Sequence, residues 1–224
     1  MPLDSFYTSD PNLIEIGIDE VGRGPMFGRV YSCAIILPKN GSFKHELMKD
    51  SKKFTSHKKL VETAQYIKEN CTNYAIAYED ESCIDKYNIK NATHMAMHKA
   101  IKELLNNDRK ATYILLVDGR EFKSLTYFDH ESETIKEYRS VCIEGGDNKY
   151  STIAAASILA KVERDSYISE LCKDYPKLDE YYDLSKNKGY GTAKHLAGIE
   201  KYGITEWHRK TFGICKMSPL NDIV

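Results

Sequence analysis

The stretch LIEIGIDEVGRGPMFGRVYSCAIIL, residues 13–37, decides how the rest of the sequence is interpreted. Its first apolar run ends abruptly in two adjacent acids, Asp19 and Glu20, and a turn rich in glycine and proline precedes a second apolar run. Two β-rich runs around such a turn predict an antiparallel hairpin. Alternation along the first strand places Glu20 on the face of Ile16 and Ile18, and Asp19 on the opposite face. An acid at the end of a buried strand is costly unless it is paired or binds a cation, although a solvated strand end is the simpler alternative.

Hydrophobic periodicity predicts a mixture of strands and helices along the remaining chain. Strands are predicted over residues 74–80, 112–117 and 138–143, a short hairpin within 120–136, and helices after Ser56 and over 84–106, 151–172, 192–202 and 206–211. Strands interleaved with helices favour an α/β protein in which helices cover the faces of a mixed sheet.

Composition and charge restrict the class of protein. Of the 224 residues, 42% are hydrophobic and 29% are charged, which is typical of a globular protein, and no apolar run approaches the ~20 residues of a membrane span. The first twelve residues lack the features of a secretory signal, and the six scattered cysteines indicate free thiols, so a cytoplasmic protein without membrane contact is expected. The net charge is −1, but lysines and arginines concentrate in a 44–59 cluster and a 186–210 cluster. Both are either solvated faces or phosphate-binding surfaces.

Three predicted strands are followed by acids: Asp19 and Glu20, then Asp118, then Asp147. If these strand ends converge, four carboxylates meet, and their repulsion requires a cation. Oxygen ligands without His or Cys favour Mg²⁺ or Mn²⁺ over zinc. Two such ions can activate water and stabilise the leaving oxygen of a phosphodiester. Individually, Asp118 and Asp147 are also compatible with ordinary turn or cap positions.

The segment GIDEVGRGP, residues 17–25, closely resembles the opening motif of the ribonuclease HII family, the type 2 ribonucleases H. Other segments that resemble this family cover most of the chain: DSKK at 50–53, the helix start at 88–100, VDG at 117–119, IAAASILAKVERD at 153–165, GYGT at 189–192 with His195, and HRKTF at 208–212.

The resemblance implies a ribonuclease H-like mixed sheet flanked by helices, with residues 1–172 as the catalytic domain and 173–224 as a small C-terminal helical extension packed on it. It implies an endonuclease that hydrolyses the RNA strand of RNA–DNA hybrids, and also single ribonucleotides in duplex DNA, leaving 5′-phosphate and 3′-hydroxyl ends. A monomer that uses two Mg²⁺ or Mn²⁺ ions is expected. The implied metal ligands and catalytic residues are Asp19, Glu20, Asp118 and Asp147. The implied substrate-binding residues are Gly22, Arg23 and Gly24 at the ribose 2′-hydroxyl, Tyr190 stacked on the adjacent sugar, and Lys52 at a phosphate.

Two rival functions remain open: another nuclease with the ribonuclease H fold, and a catalytically impaired hybrid-binding protein. The intact Gly-Arg-Gly turn argues against the first rival. The four retained acids argue against the second, because a binder gains nothing from negative charge beside phosphates. The chain departs from the family at Gly145, where lysine is usual, and at Arg29, where proline is typical. Asp165 is expected to form a structural ion pair, and His195 to be structural.

Overall fold

Strand β1 (Leu13–Val21) lies at the centre of a five-stranded mixed sheet. The computed structural model of the protein describes residues 2–106 and 112–221; the outermost residues of the two predicted domains, residue 1 and residues 222–224, lie outside them. The sheet has the order β3–β2–β1–β4–β7, with β2 (Val30–Ile36), β3 (Asn73–Glu79), β4 (Thr112–Asp118) and β7 (Arg139–Ile143). β1 pairs antiparallel with β2 and parallel with β4, which pairs parallel with β7. The predicted hairpin of residues 13–37 is confirmed.

Helices cover both faces of the sheet, as predicted. They are α1 (His57–Asn70), α2 (Glu81–Leu105), α3 (Ser151–Asp174), α4 (Lys177–Tyr182), α5 (Leu184–Asn187) and α6 (Ala193–Tyr202). A separate hairpin consists of β5 (Thr126–Asp129) and β6 (Thr134–Glu137), and it ends one residue beyond the 120–136 range predicted for it.

The two faces of β1 pack against different helices. Ile16 and Ile18 are fully buried in a cluster with apolar residues of α2. On the opposite face α3 approaches the strand so closely that a Cβ atom on Gly17 would lie 2.5 Å from the Thr152 carbonyl oxygen. Asp19 shares the face of Gly17, because side chains alternate along a strand. The adjacent acids Asp19 and Glu20 therefore point to opposite sides of the sheet.

The C-terminal segment packs against the end of α3 and against the turn that follows β1. Phe27 and Ile168 share one buried cluster with residues of α4, α5 and α6. The predicted division between residues 172 and 173 falls within the last turn of α3, which continues to Asp174, and the division itself stays a prediction.

The helix predicted over residues 206–211 is wrong. This segment forms turns and a bridge between Phe27 and His208. Its backbone pairs with the turn after β1: the Arg209 N–H donates to the Met26 carbonyl, and the Gly28 N–H donates to the Trp207 carbonyl. These bonds replace the hydrogen bonds that a helix would make.

Within the described residues, no helix is both long enough and apolar enough to cross a membrane. All six cysteines are free thiols, as the sequence predicts.

Candidate active site

The four predicted acids gather at one edge of the sheet because β1, β4 and β7 are parallel neighbours. Parallel strands end at the same edge, and the register places Ile18 beside Val117 and Asp118 beside Ile143. Asp19 and Glu20 lie near the end of β1, and Asp118 is the last residue of β4. Asp147 belongs to the short 3-10 turn Gly146–Asn148 that follows β7.

Backbone donors orient two of these carboxylates. One oxygen of Asp19 accepts the Glu20 N–H at 2.7 Å, and one oxygen of Asp118 accepts the Gly146 N–H at 2.6 Å. The second bond ties the end of β4 to the turn that carries Asp147. Neighbouring Gly145 has φ = +62°, a conformation that favours glycine.

The other two acids contact side chains. Glu20 forms an ion pair with Arg23 at 3.2 Å. The amide of Asn148 donates to Asp147 at 3.0 Å and to Asp50 at 3.3 Å, so a single side chain bridges two carboxylates. The sequence reasoning missed Asp50 and Asn148 as parts of the site. The DSKK motif marks Asp50, but only the fold reveals a contact across 98 residues of chain.

The electrostatics of the site are those of crowded carboxylates. Burial and the charges of Glu20 and Asp118 raise the pKa of Asp19, which is only 4% exposed, well above its usual range. Burial raises the pKa of Glu20 despite the opposing effect of Arg23. Burial and the charges of Asp50 and Asp118 likewise raise the pKa of Asp147.

The donor set at this edge fits hard divalent cations. It consists of carboxylates, whose mutual repulsion a cation relieves. In residues 2–106 and 112–221, no three acidic, His or Cys side chains are already arranged to hold a metal ion. The internal donors just described hold the carboxylates instead. The assignment of four metal ligands therefore stays a prediction.

The predicted substrate-binding residues lie beside the acids. A Cβ atom on Gly24 would be 3.4 Å from Cε1 of Tyr190, so the Tyr190 ring lies next to the Gly-Arg-Gly turn. The ring is 43% exposed, and Arg23 and Gly24 are also exposed. The Tyr190 loop is fixed to the turn because the Met26 N–H donates to the Gly189 carbonyl at 2.9 Å.

Lys52 follows the buried acid Asp50, whose side chain accepts the Lys52 N–H at 2.9 Å. Burial lowers the pKa of Lys52, but the charges of Asp50, Asp147 and Asp19 outweigh this effect, so the pKa is raised. The Lys52 ammonium group is therefore close enough to Asp50, Asp147 and Asp19 to interact electrostatically with them.

Two completely buried arginines support the turn, and the sequence reasoning did not anticipate this role for either. Arg164 donates to the carbonyls of Phe27 at 3.1 Å and Arg29 at 3.3 Å. Arg209 donates to four carbonyls of residues 22–28. Both arginines fall in segments that resemble the family, but the residue type alone does not distinguish a buried arginine that binds backbone carbonyls from a surface cation.

The Arg29 guanidinium lies between the rings of Tyr78 and Tyr167, 4.0 and 4.3 Å from their centroids.

A buried histidine pair links the C-terminal segment to Tyr190. The Thr205 N–H donates to Nδ1 of His208, so the proton of His208 is on Nε2. That proton faces Nε2 of His195 at 3.1 Å, which leaves Nδ1–H of His195 to donate to the Tyr190 carbonyl at 3.0 Å. Both imidazoles are thus neutral donor–acceptor links. The structural role predicted for His195 agrees with this arrangement, and the ion pair predicted for Asp165 is formed with Lys161 at 2.8 Å.

Clefts open on both sides of the acids. One, of about 400 Å³, includes Glu20, Arg23, Lys90, Asp118 and Arg120 in its lining. Another, of about 840 Å³, includes Lys49, Asp50, Lys53, Asn148 and Lys149. Each cleft combines an acid of the site with basic side chains that can contact phosphates.

A mixed sheet with acids at its parallel edge and helices on both faces defines an α/β protein with a ribonuclease H-like fold. The chain belongs to the ribonuclease HII family, whose model, described as Ribonuclease HII, matches residues 16–215. It is 40% identical over 212 residues to a protein named ribonuclease HII from Phocaeicola vulgatus, covering 95% of each chain. Membership makes it a type 2 ribonuclease H, a metal-dependent endonuclease that acts on RNA–DNA hybrids.

Solved structures share the fold. Ribonuclease H2 from Pyrococcus horikoshii OT3 matches with a TM-score of 0.68 and 20% identity, covering 91% of this chain and 96% of that one. The Mn²⁺ complex of Bst-RNase HIII matches with a TM-score of 0.59 and 18% identity, covering 85% of this chain and 70% of that one.

Proposed function

We propose that this endonuclease also cuts duplex DNA at a single embedded ribonucleotide, leaving a 3′-hydroxyl end and a ribonucleotide with a 5′-phosphate. One observation carries the proposal: the exposed Gly-Arg-Gly turn lies between the acids and the Tyr190 ring. Arg23 contacts Glu20 on one side, and Gly24 is next to Tyr190 on the other. Recognition of one sugar therefore takes place beside the phosphate that is cut, and a single ribose is sufficient.

Asp19, Glu20, Asp118 and Asp147 are the proposed ligands of two Mg²⁺ or Mn²⁺ ions. Bound there, the ions supply an activated water and stabilise the leaving 3′-oxygen. The chain's own contribution is to hold the acids in place. The N–H groups of Glu20 and Gly146 fix Asp19 and Asp118, and Asn148 fixes Asp147.

Substrate recognition is assigned to the turn, to Tyr190 and to Lys52. The 2′-hydroxyl is the group that distinguishes RNA from DNA at one position, and glycines let a backbone approach it closely. An exposed aromatic ring can stack on the next sugar, where a deoxyribose offers no 2′-hydroxyl to obstruct it. Lys52 and the 44–59 cluster contact phosphates irrespective of sequence. The proposed active species is a monomer.

A cleavage assay on three end-labelled duplexes of one sequence tests the proposal: an RNA–DNA hybrid, double-stranded RNA, and DNA with one ribonucleotide. We expect Mg²⁺- or Mn²⁺-dependent cutting of the first and third, with the cut on the 5′ side of the single ribonucleotide. Absence of cutting in the third duplex would refute the proposal without affecting membership of the family.

Single substitutions test the ligand assignment. Asp19→Asn, Glu20→Gln, Asp118→Asn and Asp147→Asn are each expected to remove most activity while the protein stays folded. Glu131→Gln, at an exposed acid between β5 and β6, is the matched control and should retain full activity. Near wild-type rates in all four variants would show that the metal-site assignment is wrong.

A further inference from the structure

One buried side chain holds the backbone carbonyls of the Gly-Arg-Gly turn. Arg209 is fully buried, and its guanidinium makes four hydrogen bonds to backbone carbonyls. The accepting carbonyls belong to Gly22 at 2.5 Å, Pro25 at 2.7 Å, Gly28 at 2.9 Å and Arg23 at 3.1 Å. A planar guanidinium with five donors in fixed directions can satisfy such a set, whereas an ammonium group cannot span it.

These bonds determine where the N–H groups of the turn point. In a trans peptide unit, the carbonyl of one residue and the N–H of the next point in opposite directions. Because the carbonyls of Gly22 and Arg23 face Arg209, the N–H groups of Arg23 and Gly24 face away from the protein interior. Among the described residues neither N–H has a protein acceptor.

The third peptide unit held by Arg209 behaves differently. The Pro25 carbonyl also faces the guanidinium, but the following N–H, that of Met26, donates to the Gly189 carbonyl at 2.9 Å. That bond attaches the loop that carries Tyr190. A single buried cation thus leaves two donors unoccupied on the exposed side and fixes the aromatic ring beside them.

We propose that Arg209 is the positioning residue that makes the turn selective for ribose, by presenting the Arg23 and Gly24 N–H groups to the 2′-oxygen. This inference rests on the proposed role of the turn in reading one ribonucleotide. It assigns the selectivity to a buried side chain that acts through the turn and does not touch the substrate.

The guanidinium is suited to this role because it stays charged while it is buried. Burial and the charge of Arg164 lower the pKa of Arg209 to about 9, which is still above neutral pH. The segment that carries it is anchored to α2. Asp85 accepts hydrogen bonds from the N–H groups of Lys210 and Thr211 at 2.8 and 2.9 Å.

The test measures binding rather than cleavage. In an Asp118→Asn background with Mg²⁺, fluorescence anisotropy gives the Kd for DNA with one ribonucleotide and for the all-DNA duplex of the same sequence. The selectivity is the ratio of these two constants. Arg209→Lys should lower the ratio about five- to tenfold, the loss expected when one or two hydrogen bonds to the sugar are weakened. Binding of all-DNA duplex should stay unchanged.

Arg164→Lys is the matched control, because Arg164 is equally buried but holds the carbonyls of Phe27 and Arg29 instead. Lysine keeps the aliphatic part of the side chain beside Gly22. We expect this control to lower Tm but to preserve the ratio, so a general loss of stability cannot imitate the predicted effect.

Three outcomes are decisive. A folded Arg209→Lys protein that keeps its selectivity would overturn the inference. If that variant does not fold, Asp85→Asn, which loosens the same segment from outside, replaces it: a lower ratio supports the inference and an unchanged ratio overturns it. If the background protein itself does not prefer the ribonucleotide, the failure lies with the proposed function, because the turn then reads no ribose.

Discussion

Alanine substitutions at Gly22 and Gly24 should have different consequences, although the two glycines are only two residues apart. Gly22→Ala should reduce stability, whereas Gly24→Ala should reduce cleavage. Gly22 has φ = +96°, and an added Cβ would lie 2.5 Å from Nε of Arg164 and 2.9 Å from the Arg29 carbonyl oxygen. A left-handed conformation costs a non-glycine residue about 1–2 kcal/mol, and overpacking adds about 1–3 kcal/mol. Gly22→Ala is therefore expected to destabilise the fold by roughly 2–5 kcal/mol.

Gly24 offers an ordinary environment to a methyl group. The nearest atom to an added Cβ is Cε1 of Tyr190 at 3.4 Å, a normal van der Waals distance, and no left-handed φ is involved. Gly24→Ala should change the free energy of unfolding by less than about 1 kcal/mol. The change favours the folded state to the extent that alanine reduces the conformational entropy of the unfolded chain. The methyl group would nevertheless occupy the exposed side of the turn, where the sugar must approach. We expect kcat/KM for the single-ribonucleotide duplex to fall by about two orders of magnitude.

Thermal unfolding followed by circular dichroism, together with cleavage kinetics, separates the two effects. In a protein of this size about 1 kcal/mol corresponds to a Tm change of about 2–4 °C, so Gly22→Ala should lower Tm by roughly 4–20 °C. Gly41→Ala is the control, because Gly41 has φ = +76° but no atom within 4 Å of an added Cβ. A Gly22→Ala protein no less stable than this control would refute the proposed packing on Arg164. Normal cleavage by Gly24→Ala would refute the close approach of a sugar to the turn.

Three further predictions concern stacking, phosphate contacts and pH. Tyr190→Ala should lose more activity on the single-ribonucleotide duplex than on the hybrid, while Tyr190→Phe keeps the ring and both activities; equal losses on both substrates would contradict the stacking role. Lysines that contact phosphates displace counterions from the nucleic acid, so the affinity for duplexes should fall steeply as salt increases. Lys52→Ala should weaken the binding of all duplexes alike and reduce the slope of log K against log [salt] by about one. A flat salt dependence would show that the 44–59 cluster is solvated surface. Burial and the electrostatic effect of His195 lower the pKa of His208. Below the ordinary histidine pKa of about 6.5, the unfolded chain therefore binds more protons than the native protein. Tm should fall as the pH is lowered from 7.5 to 5.5. His208→Gln should show a smaller fall over this range, and an equal fall would assign the effect to other groups.

Alternation was sufficient to predict the central hairpin. Asp19, Glu20 and Asp118 end buried β-runs, which is costly unless the acids are paired or bind a cation, so local pattern marks them as candidates beside the simpler alternative of solvated strand ends. Their convergence depends on the order of β1, β4 and β7 in the sheet. Periodicity does not determine strand order, and for that step the family resemblance was needed.

The parts that the sequence did not reveal are contacts between distant segments. Arg209 and Gly22 are 187 residues apart, and neither sequence neighbourhood indicates that a guanidinium is buried against a turn. The same contact explains the wrong helix at residues 206–211. Local propensity allows a helix there, but the Arg209 N–H donates to the Met26 carbonyl, and the N–H groups of Lys210 and Thr211 donate to Asp85. Asn148 is similar, because its bridge between Asp147 and Asp50 requires two loops that only the fold brings together.

The turn joins two sides of the protein with opposite electrostatic requirements. On its buried side, Arg209 contacts the carbonyl oxygens of Gly22 and Arg23, which are the negative ends of their peptide dipoles. The positive ends of the peptide units between Gly22 and Gly24 must then face the exposed side, next to Glu20. A nucleic acid that approaches the four acids meets their negative charge, and the outward N–H groups and Lys52 are the fixed positive features beside it. Arg209 therefore contributes to the recognition of ribose by orienting the backbone dipoles of the turn, although its own charge is shielded from solvent.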